Sequence, residues 1–428
     1  MTEAISIAGT TCIGLILSIL FIPKIIIKKI IIKPYIIISL IGAILFLLLR
    51  IVPINDLTDK LLSNNSINPI KILVLFFSMT MISIYLDEVG FFKYIAYKSV
   101  AIAKTNQFTL FIICYLFSAI LTIFTSNDIV ILTFIPFICY FCKNANIKPI
   151  PYLISCFVGA NTWSMMLIIG NPTNIYLATS YSITFIDYFK TMALPTLAAG
   201  TIQFLILLLI FNKDLRKKME QHFVEYKIES KFDLILGLSH LIICLIFLII
   251  SSYLNIEMYL IALICALSLI IIDLIKSIIK RQKDLYLISS IKRLPYELII
   301  FVLSMFIIIE GLSLTGFTTK IYEFLGNNLT IFKYGYSSFL VCNLINNIPM
   351  SVLYASIPSL TIKEIYASII GSNIGAFLTP IGALAGIMFT NLLNNYDVKY
   401  SFLDFIKYGI IISIPTISVS LIVLSLIL

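Results

Sequence analysis

Long apolar runs separated by short polar segments recur along the whole chain, at residues 4–22, 34–50, 70–86, 233–251, 257–275 and 296–314. A helix needs about 20 mostly apolar residues to cross roughly 30 Å of hydrocarbon. Because an unpaired backbone amide or carbonyl is costly in lipid, helices are the economical way to span it. The pattern therefore predicts an all-α fold, a polytopic transmembrane helical bundle. A chain of 428 residues leaves room for about ten to twelve crossings. With 60% hydrophobic and 12% charged residues, no soluble catalytic domain fits in what remains. The first run has no basic residue before it and no small-residue cleavage site after it, so it reads as a span and not as a secretory signal.

Charge sets the orientation. The net charge of +9 would point to nucleic acid in a soluble protein, but here Lys and Arg gather in short loops between apolar runs. That placement is a positive-inside signal, so the expected surroundings are membrane lipid, with no nucleic acid partner. Lys24, Lys28, Lys29 and Lys33 follow the first run and place the N-terminus outside the cytoplasm. The segment 53–69, with Asn55, Asp56, Asn64 and Asn65, is then external, and Lys93, Lys98 and Lys104 are internal. Residues 213–232, carrying Arg216, Lys217 and Lys218, read as a cytoplasmic linker between halves 1–212 and 233–428. Lys276, Lys280, Arg281, Lys283, Lys292 and Arg293 mark a further cytoplasmic loop.

The two halves share four matches in the same order. LFFSM at 75–79 resembles FVLSM at 301–305, and Asn127-Asp128-Ile129 resembles Asn346-Asn347-Ile348. GANTWSMMLIIGNP at 159–172 lines up without a gap on GSNIGAFLTPIGAL at 371–384. FIDYFK at 185–190 recurs as FLDFIK at 402–407, and each is followed by a Pro-Thr, at Pro195 and Pro415. Four matches in register point to a duplicated half. The third run travels outside to inside, whereas its counterpart at 296–314 starts from the basic loop and travels the other way. The expectation is two inverted-topology repeats, the architecture of alternating-access carriers.

The most clearly shared residues are helix breakers and amides: Ser126-Asn127-Asp128, Asn161-Thr162 and Gly170-Asn171-Pro172-Thr173 in the first half. Asn346-Asn347 with Pro349, then Asn373, Thr379-Pro380 and Gly382, occupy the second. Non-helical backbone at membrane depth is tolerated where it lines a polar cavity or is buried in protein. These segments are therefore expected to be broken helices or re-entrant hairpins whose tips meet near the midplane. Half-helix N-termini suit an anion, and unwound carbonyls with amide and hydroxyl oxygens suit sodium. Asn127, Asn171, Asn346 and Thr379 are the oxygen donors a coupling sodium would use. The competing reading is that Gly and Pro kink packed spans while Asn and Thr bind helices together.

Asp128 is an intramembrane carboxylate beside the first break, read either as a cation ligand or proton carrier or as a wet Asp capping a helix. Glu310, late in its run, is a weaker functional candidate. Asp87, Glu88, Glu257 and Asp273 lie at span ends and are expected to be solvated. No Arg or Lys falls within the broken segments, so amides and helix dipoles would recognise a small, weakly hydrated anion. Cys139 and Cys142 form a C-x-x-C inside an apolar run, far in sequence from His222 and His240. They and the six isolated cysteines read as small core hydrophobes, with no cofactor expected beyond a coupling Na+ or H+. The same lack of clustered catalytic groups argues against an intramembrane enzyme.

Ser-Asn-Asp at 126–128, GNPTN at 170–174, NNIP at 346–349 and LTPIGALAG at 378–386 resemble the ion transporter superfamily of arsenite permeases, divalent anion/sodium symporters and sodium/proton antiporters. That resemblance covers about 70–200 and 298–420. It implies a scaffold subdomain, a transport subdomain with two opposed hairpins, and an elevator-like motion. In the symporters a Ser-Asn-Thr at each tip contacts substrate and sodium. Ser126 and Asn127 match it, Asp128 replaces the Thr, and the second half keeps only Asn346-Asn347, a pattern closer to the arsenite permease branch. The expected activity is secondary transport of a small anion, with sodium/proton antiport as the alternative. The chain by itself leaves room for a homodimer, and its Ile- and Lys-rich, Trp-poor composition fits a prokaryotic plasma membrane.

Overall fold

In the computed structural model, which describes residues 2–22, 25–27, 30–62, 68–219, 226–280, 286–326 and 328–428, nearly the whole chain is helical. Lys24, Lys28, Lys29, Asn64, Asn65, His222, Arg281 and Lys283 lie outside the described residues. The first half runs α1 (Thr2–Phe21), α2 (Pro34–Leu48), α3 (Ile54–Leu62), α4 (Pro69–Glu88) and α5 (Phe91–Ala103). It continues through α6 (Gln107–Phe124), α7 (Asn127–Asn144), α8 (Ile150–Trp163), α9 (Pro172–Ser180) and α10 (Phe185–Leu215). The second half repeats the series: α11 (Lys231–Leu254), α12 (Met258–Lys280), α13 (Tyr286–Arg293), α14 (Glu297–Leu314) and α15 (Phe317–Leu325). Then come α16 (Thr330–Ile345), α17 (Asn347–Ala355), α18 (Ile362–Gly375), α19 (Leu384–Asn395) and α20 (Phe402–Ile427). One departure from the all-α expectation is a short antiparallel ribbon, β1 (Ile25–Ile27) on β2 (Ile30–Ile32), between α1 and α2.

Among the described residues eight helices are long and apolar enough to cross a membrane, with Pro34–Leu48 a shorter apolar one. Several remaining apolar stretches are half-length helices flanking the breaks, so they do not each amount to a full crossing. The FIDYFK and FLDFIK repeats are realised as the same N-cap. Thr184 accepts from the Asp187 amide at 3.1 Å and Ser401 from the Asp404 amide at 3.1 Å, which satisfies an orphan donor of each long helix. At the other end α10 runs to Leu215, three residues into the expected linker, and the Met219 amide then bonds Thr105 O at 3.3 Å.

Packing follows the repeat. α4 packs on α12 as α14 packs on α2, and α7 packs on α19 as α17 packs on α9. The equivalent long helices α10 and α20 run antiparallel. Ser420 Oγ donates to Pro195 O at 3.2 Å near one end, and the Phe211 and Tyr408 rings are 5.6 Å apart near the other. One group of helices (α1, α2, α4, α11, α12, α14) packs together, and α6–α10 with α16–α20 form a second. The groups meet where α4 touches α7 and α9, where α14 touches α17, where α1 touches α16 and where α10 touches α11.

Two of the four span-end carboxylates are buried, and a third, Glu88, is 20% exposed and paired. Asp87, 5% exposed, accepts from Thr133 Oγ1 and from Arg293 Nη2, each at 2.7 Å, and Glu88 pairs with the same guanidinium. Asp273, 1% exposed, shares Lys276 with the buried Asp233, and Tyr85 OH donates to it at 3.1 Å. Glu257 is largely exposed, as expected, and Glu310 is buried in an ion pair with Lys60. Hydropathy locates a span's end but not what packs over it. Buried charges then need partners, because desolvation is repaid only by pairing and hydrogen bonds. His240 is buried with Nδ1 2.8 Å from Leu236 O, and the eight cysteines are free, seven of them buried.

Candidate functional site

α6 ends at Phe124, and Thr125 and Ser126 leave helical geometry before α7 restarts at Asn127. The Asn127 side chain donates to Asn161 Oδ1 at 3.0 Å, and Asn161 donates to Phe157 O at 2.8 Å, so the first tip is pinned to α8. Asp128 stands in the first turn of α7, where a carboxylate meets the positive end of the helix. Thr162 faces away from this tip and accepts from Gln203 Nε2 at 2.6 Å.

α16 ends at Ile345, and Asn346 takes φ 75° and ψ 155° before α17 starts at Asn347. The Asn346 amide group donates to Ile381 O at 3.0 Å, and the Asn347 backbone N–H to Gly382 O at 3.0 Å. Asn343 Oδ1 accepts from the Thr379 backbone at 3.0 Å and from its hydroxyl at 2.7 Å. Pro349, three residues into α17, falls in the first turn, where no intrahelical donor is missed. Pro380 and Gly382 complete the turn, and a Cβ on Gly382 would lie 2.7 Å from Gly375 O.

A third amide cluster joins the halves. Asn373 Oδ1 accepts from Ser164 Oγ at 2.9 Å and from Asn171 Nδ2 at 3.1 Å, while its own NH2 donates to Asn174 Oδ1 at 2.7 Å. Asn171 Oδ1 caps α9 through the Thr173 amide at 3.1 Å, and Pro172 takes the first helical position. Gly170 is held so close that a Cβ would meet Ser164 O at 2.1 Å. Asn127, Asn171, Asn346 and Thr379 thus sit in three clusters, and among the described residues no hydrogen bond joins the first tip to the second.

Beside the first tip is a cavity of about 120 Å³ that Ser126 and Asp128 line together with Lys33, Tyr35, Thr80, Arg293, Glu297 and Asn391. None of the last six belongs to a broken segment, and Lys33 and Arg293 figured in the sequence only as topology markers. Their common signal is position: each charged member stands at the start of, or just before, an apolar run. Arg293 holds the buried Asp87, so Arg293→Gln is expected to destabilise the protein by about 2 kcal/mol. That is below the roughly 3–5 of a fully buried pair, because the guanidinium is 37% exposed. A melting temperature in detergent equal to that of wild type would refute this.

The sequence matches between the halves relate this cavity's lining to residues of two other spaces. Phe76, Ile129, Leu132, Leu384 and Met388 correspond to Val302, Ile348, Ser351, Pro172 and Tyr176, which line a void of about 20 Å³. Glu297 and Asn391 correspond to Lys71 and Thr179, which line a separate cavity of about 460 Å³. The small void lies between the other two spaces: it shares Ile72 with the cavity of Lys71 and shares Phe76 and Leu298 with the cavity of Lys33.

A family model described as citrate transporter matches residues 16–365. The arsenical pump membrane protein of Escherichia coli (strain K12) is 26% identical over 373 residues, covering 82% of this chain and 85% of that protein. A 46 kDa membrane protein of Mycobacterium leprae is 23% identical over 398 residues, covering 86% and 89%. Among solved structures, the YdaH transporter of Alcanivorax borkumensis superposes with a TM-score of 0.55 at 13% identity, over 99% of this chain and 97% of that one. This last likeness is one of fold.

Proposed function

Since the chain belongs to the citrate transporter family, we propose that it is a secondary carrier of a small anion, an arsenite-like oxyanion or a carboxylate, driven by sodium or protons. At the coarser level it is a multi-pass membrane transporter of the arsenite/citrate permease type. The observation that carries the finer reading is the unequal pair of cavities. Residues that line one space with Lys33 and Arg293 at its mouth have sequence equivalents divided between a cavity with Lys71 and Glu257 at its mouth and a small void between the two cavities. One motif in two arrangements is what an inverted-repeat carrier presents when it is open to one side. In this reading the helices of the two tips move as a body past α4 and α14, elevator fashion, and the narrow void opens as the continuous cavity closes. The residues that contact the cargo are Ser126 and Asn127 at one tip and Asn346 and Asn347 at the other, with Asp128 beside the first as the site of a coupling cation. The amides of Asn171 and Asn373 hold the hairpins together.

Counterflow in proteoliposomes with radiolabelled citrate, arsenite, sulfate and succinate, with and without a sodium or pH gradient, tests this. Flux of at least one solute, accelerated by one of the gradients, is expected. No flux of any under any gradient sinks the reading. Asp128 in the cavity keeps sodium/proton antiport as a second reading. An Asp128→Asn chain is expected to lose proton-dependent sodium movement if that reading holds, and to keep a pH-independent anion flux if it does not.

A further inference from the structure

Two ion pairs stand at matching places on the two faces with their charges exchanged. Lys33, immediately before α2, pairs with Glu297, the first residue of α14. Glu257, immediately before α12, pairs with Lys71, the third residue of α4, at 2.7 Å and 3.0 Å. Counted from the starts of α2 and α12, Lys33 takes the place of Glu257 and Tyr35 that of Tyr259. Counted through the LFFSM and FVLSM match, Lys71 takes the place of Glu297. The repeat has thus kept the pair and swapped which helix brings the cation. Each pair lines its own cavity, Lys33, Glu297 and Tyr35 on one face, Lys71, Glu257 and Tyr259 on the other.

Duplication followed by drift would keep a purely mechanical clamp with either polarity or lose it. What both faces retain is one lysine, one carboxylate and one tyrosine around the mouth of a cavity. The Lys71 ammonium also lies 5.4 Å from the centre of the Tyr259 ring, which holds it facing that space without a second formal charge. All four charged side chains keep contact with solvent, from 15% exposed at Lys71 to 48% at Glu257. Partly hydrated pairs of this kind contribute little to stability, and a competing anion can exchange into them at small cost. Among the described residues the amide-lined tips hold no cation of their own, so an anion on its way in meets Lys71 at one mouth and Lys33, with Arg293 held by Asp87 and Glu88, at the other.

We propose that Lys33–Glu297 and Lys71–Glu257 are matching anion stations, one at each mouth of the path, where an entering anion displaces the glutamate from its lysine. This rests on the anion-carrier reading above. Each glutamate acts as a resident competitor, keeping the lysine occupied between transport events and setting how strongly the mouth attracts anions.

The test uses cysteine reporters at the equivalent positions Thr179 and Asn391, each of which lines one cavity. Their modification by a sulfonate-bearing methanethiosulfonate is compared with that by its trimethylammonium counterpart, corrected for the parent chain. In Thr179→Cys, Lys71→Gln should lower the anionic-to-cationic rate ratio about threefold or more and Glu257→Gln should raise it by a similar factor. Both should leave Asn391→Cys within about twofold of its starting ratio. Lys33→Gln and Glu297→Gln should do the reverse. Excess citrate should slow the anionic reagent where the lysine is present and not where it is Gln. A clamp without anion chemistry predicts shifts of the same sign for both members of a pair, and that result overturns the proposal. Where a single variant fails to reach the membrane, the exchanged double Lys71→Glu with Glu257→Lys keeps both charges and should hold the ratio within about twofold; a collapse of the ratio there also overturns it. Opposite shifts in a chain that moves no solute would remove the transport reading and leave the stations standing. Same-sign shifts in a chain that does transport would remove the stations alone.

Discussion

Gly371→Ala is expected to prevent the protein from reaching a stable fold, with little or no monodisperse material after extraction into detergent. α16 and α18 cross so closely that a Cβ at residue 371 would lie 2.0 Å from Ser338 Oγ, 2.2 Å from Gly335 O and 2.9 Å from the Phe339 amide nitrogen. Two of those three atoms are backbone, so no rotamer change relieves the clash. The helices must separate. Gly375, one turn on, is held as tightly, with Cys342 Sγ at 2.4 Å and Phe339 O at 2.8 Å from its would-be Cβ, so the crossing cannot pivot about that point either. Overpacking a core usually costs about 1–3 kcal/mol, and rigid backbone neighbours put this case at or beyond the upper end. Gly9→Ala supplies the control, because a Cβ there meets nothing within 4 Å. Fluorescence-detected size exclusion and thermal melting of the two variants decide the matter. A Gly371→Ala protein that elutes and melts like Gly9→Ala would show that the helices are not in backbone contact.

Asn373→Leu is the second large effect, and its readout is transport as well as stability. One side chain accepts from Ser164 and Asn171 and donates to Asn174, so a single substitution strands two buried amide groups of the first half, while the Ser164 hydroxyl keeps Asn161 O at 2.8 Å as its acceptor. Each lost partner costs about 1–3 kcal/mol. These losses are not additive within one network, so a total of about 2–4 kcal/mol is expected. The cluster is what fastens the GNPTN turn of one half to α18 of the other, and a loosened turn no longer presents α9 to the cavity as a body. Asn373→Asp keeps the acceptor but sets an oxygen against Asn174 Oδ1, and should be nearly as damaging. The double Asn171→Leu with Asn373→Leu should cost less than the sum of the singles, because it removes a donor together with its acceptor. Additive melting shifts would mean that the two amides do not share a bond.

The breaks were legible because Gly, Pro and Asn act locally. Asn171-Pro172 reads as a helix start in any context, and α9 begins at Pro172. The amides' partners were not legible. Asn171 and Asn373 are 202 residues apart, and their match within the repeat pairs Asn161 with Asn373, not Asn171. The sequence therefore pointed to these residues as tips that face each other, whereas the hydrogen bonds draw them into three knots. Asp87 and Asp273 misled for a related reason. Their position at the end of an apolar run says that water is near, but Arg293 of another helix closes over Asp87, and Asp273 is enclosed by Lys276 one turn on in its own helix and by Tyr85 of α4.

By itself, the amino-acid order determined that this chain lies in a membrane, that it is built from a doubled series of helices, and where those helices break. Hydropathy and helix-breaking are properties of neighbouring residues, so they survive without a fold. Tertiary structure alone decided which charges enter the cavity: Lys33 reaches Glu297 across 264 residues, and Lys71 reaches Glu257 across 186. A charge in a loop has no direction until packing brings another helix end against it. The mouths of the path are made of such encounters.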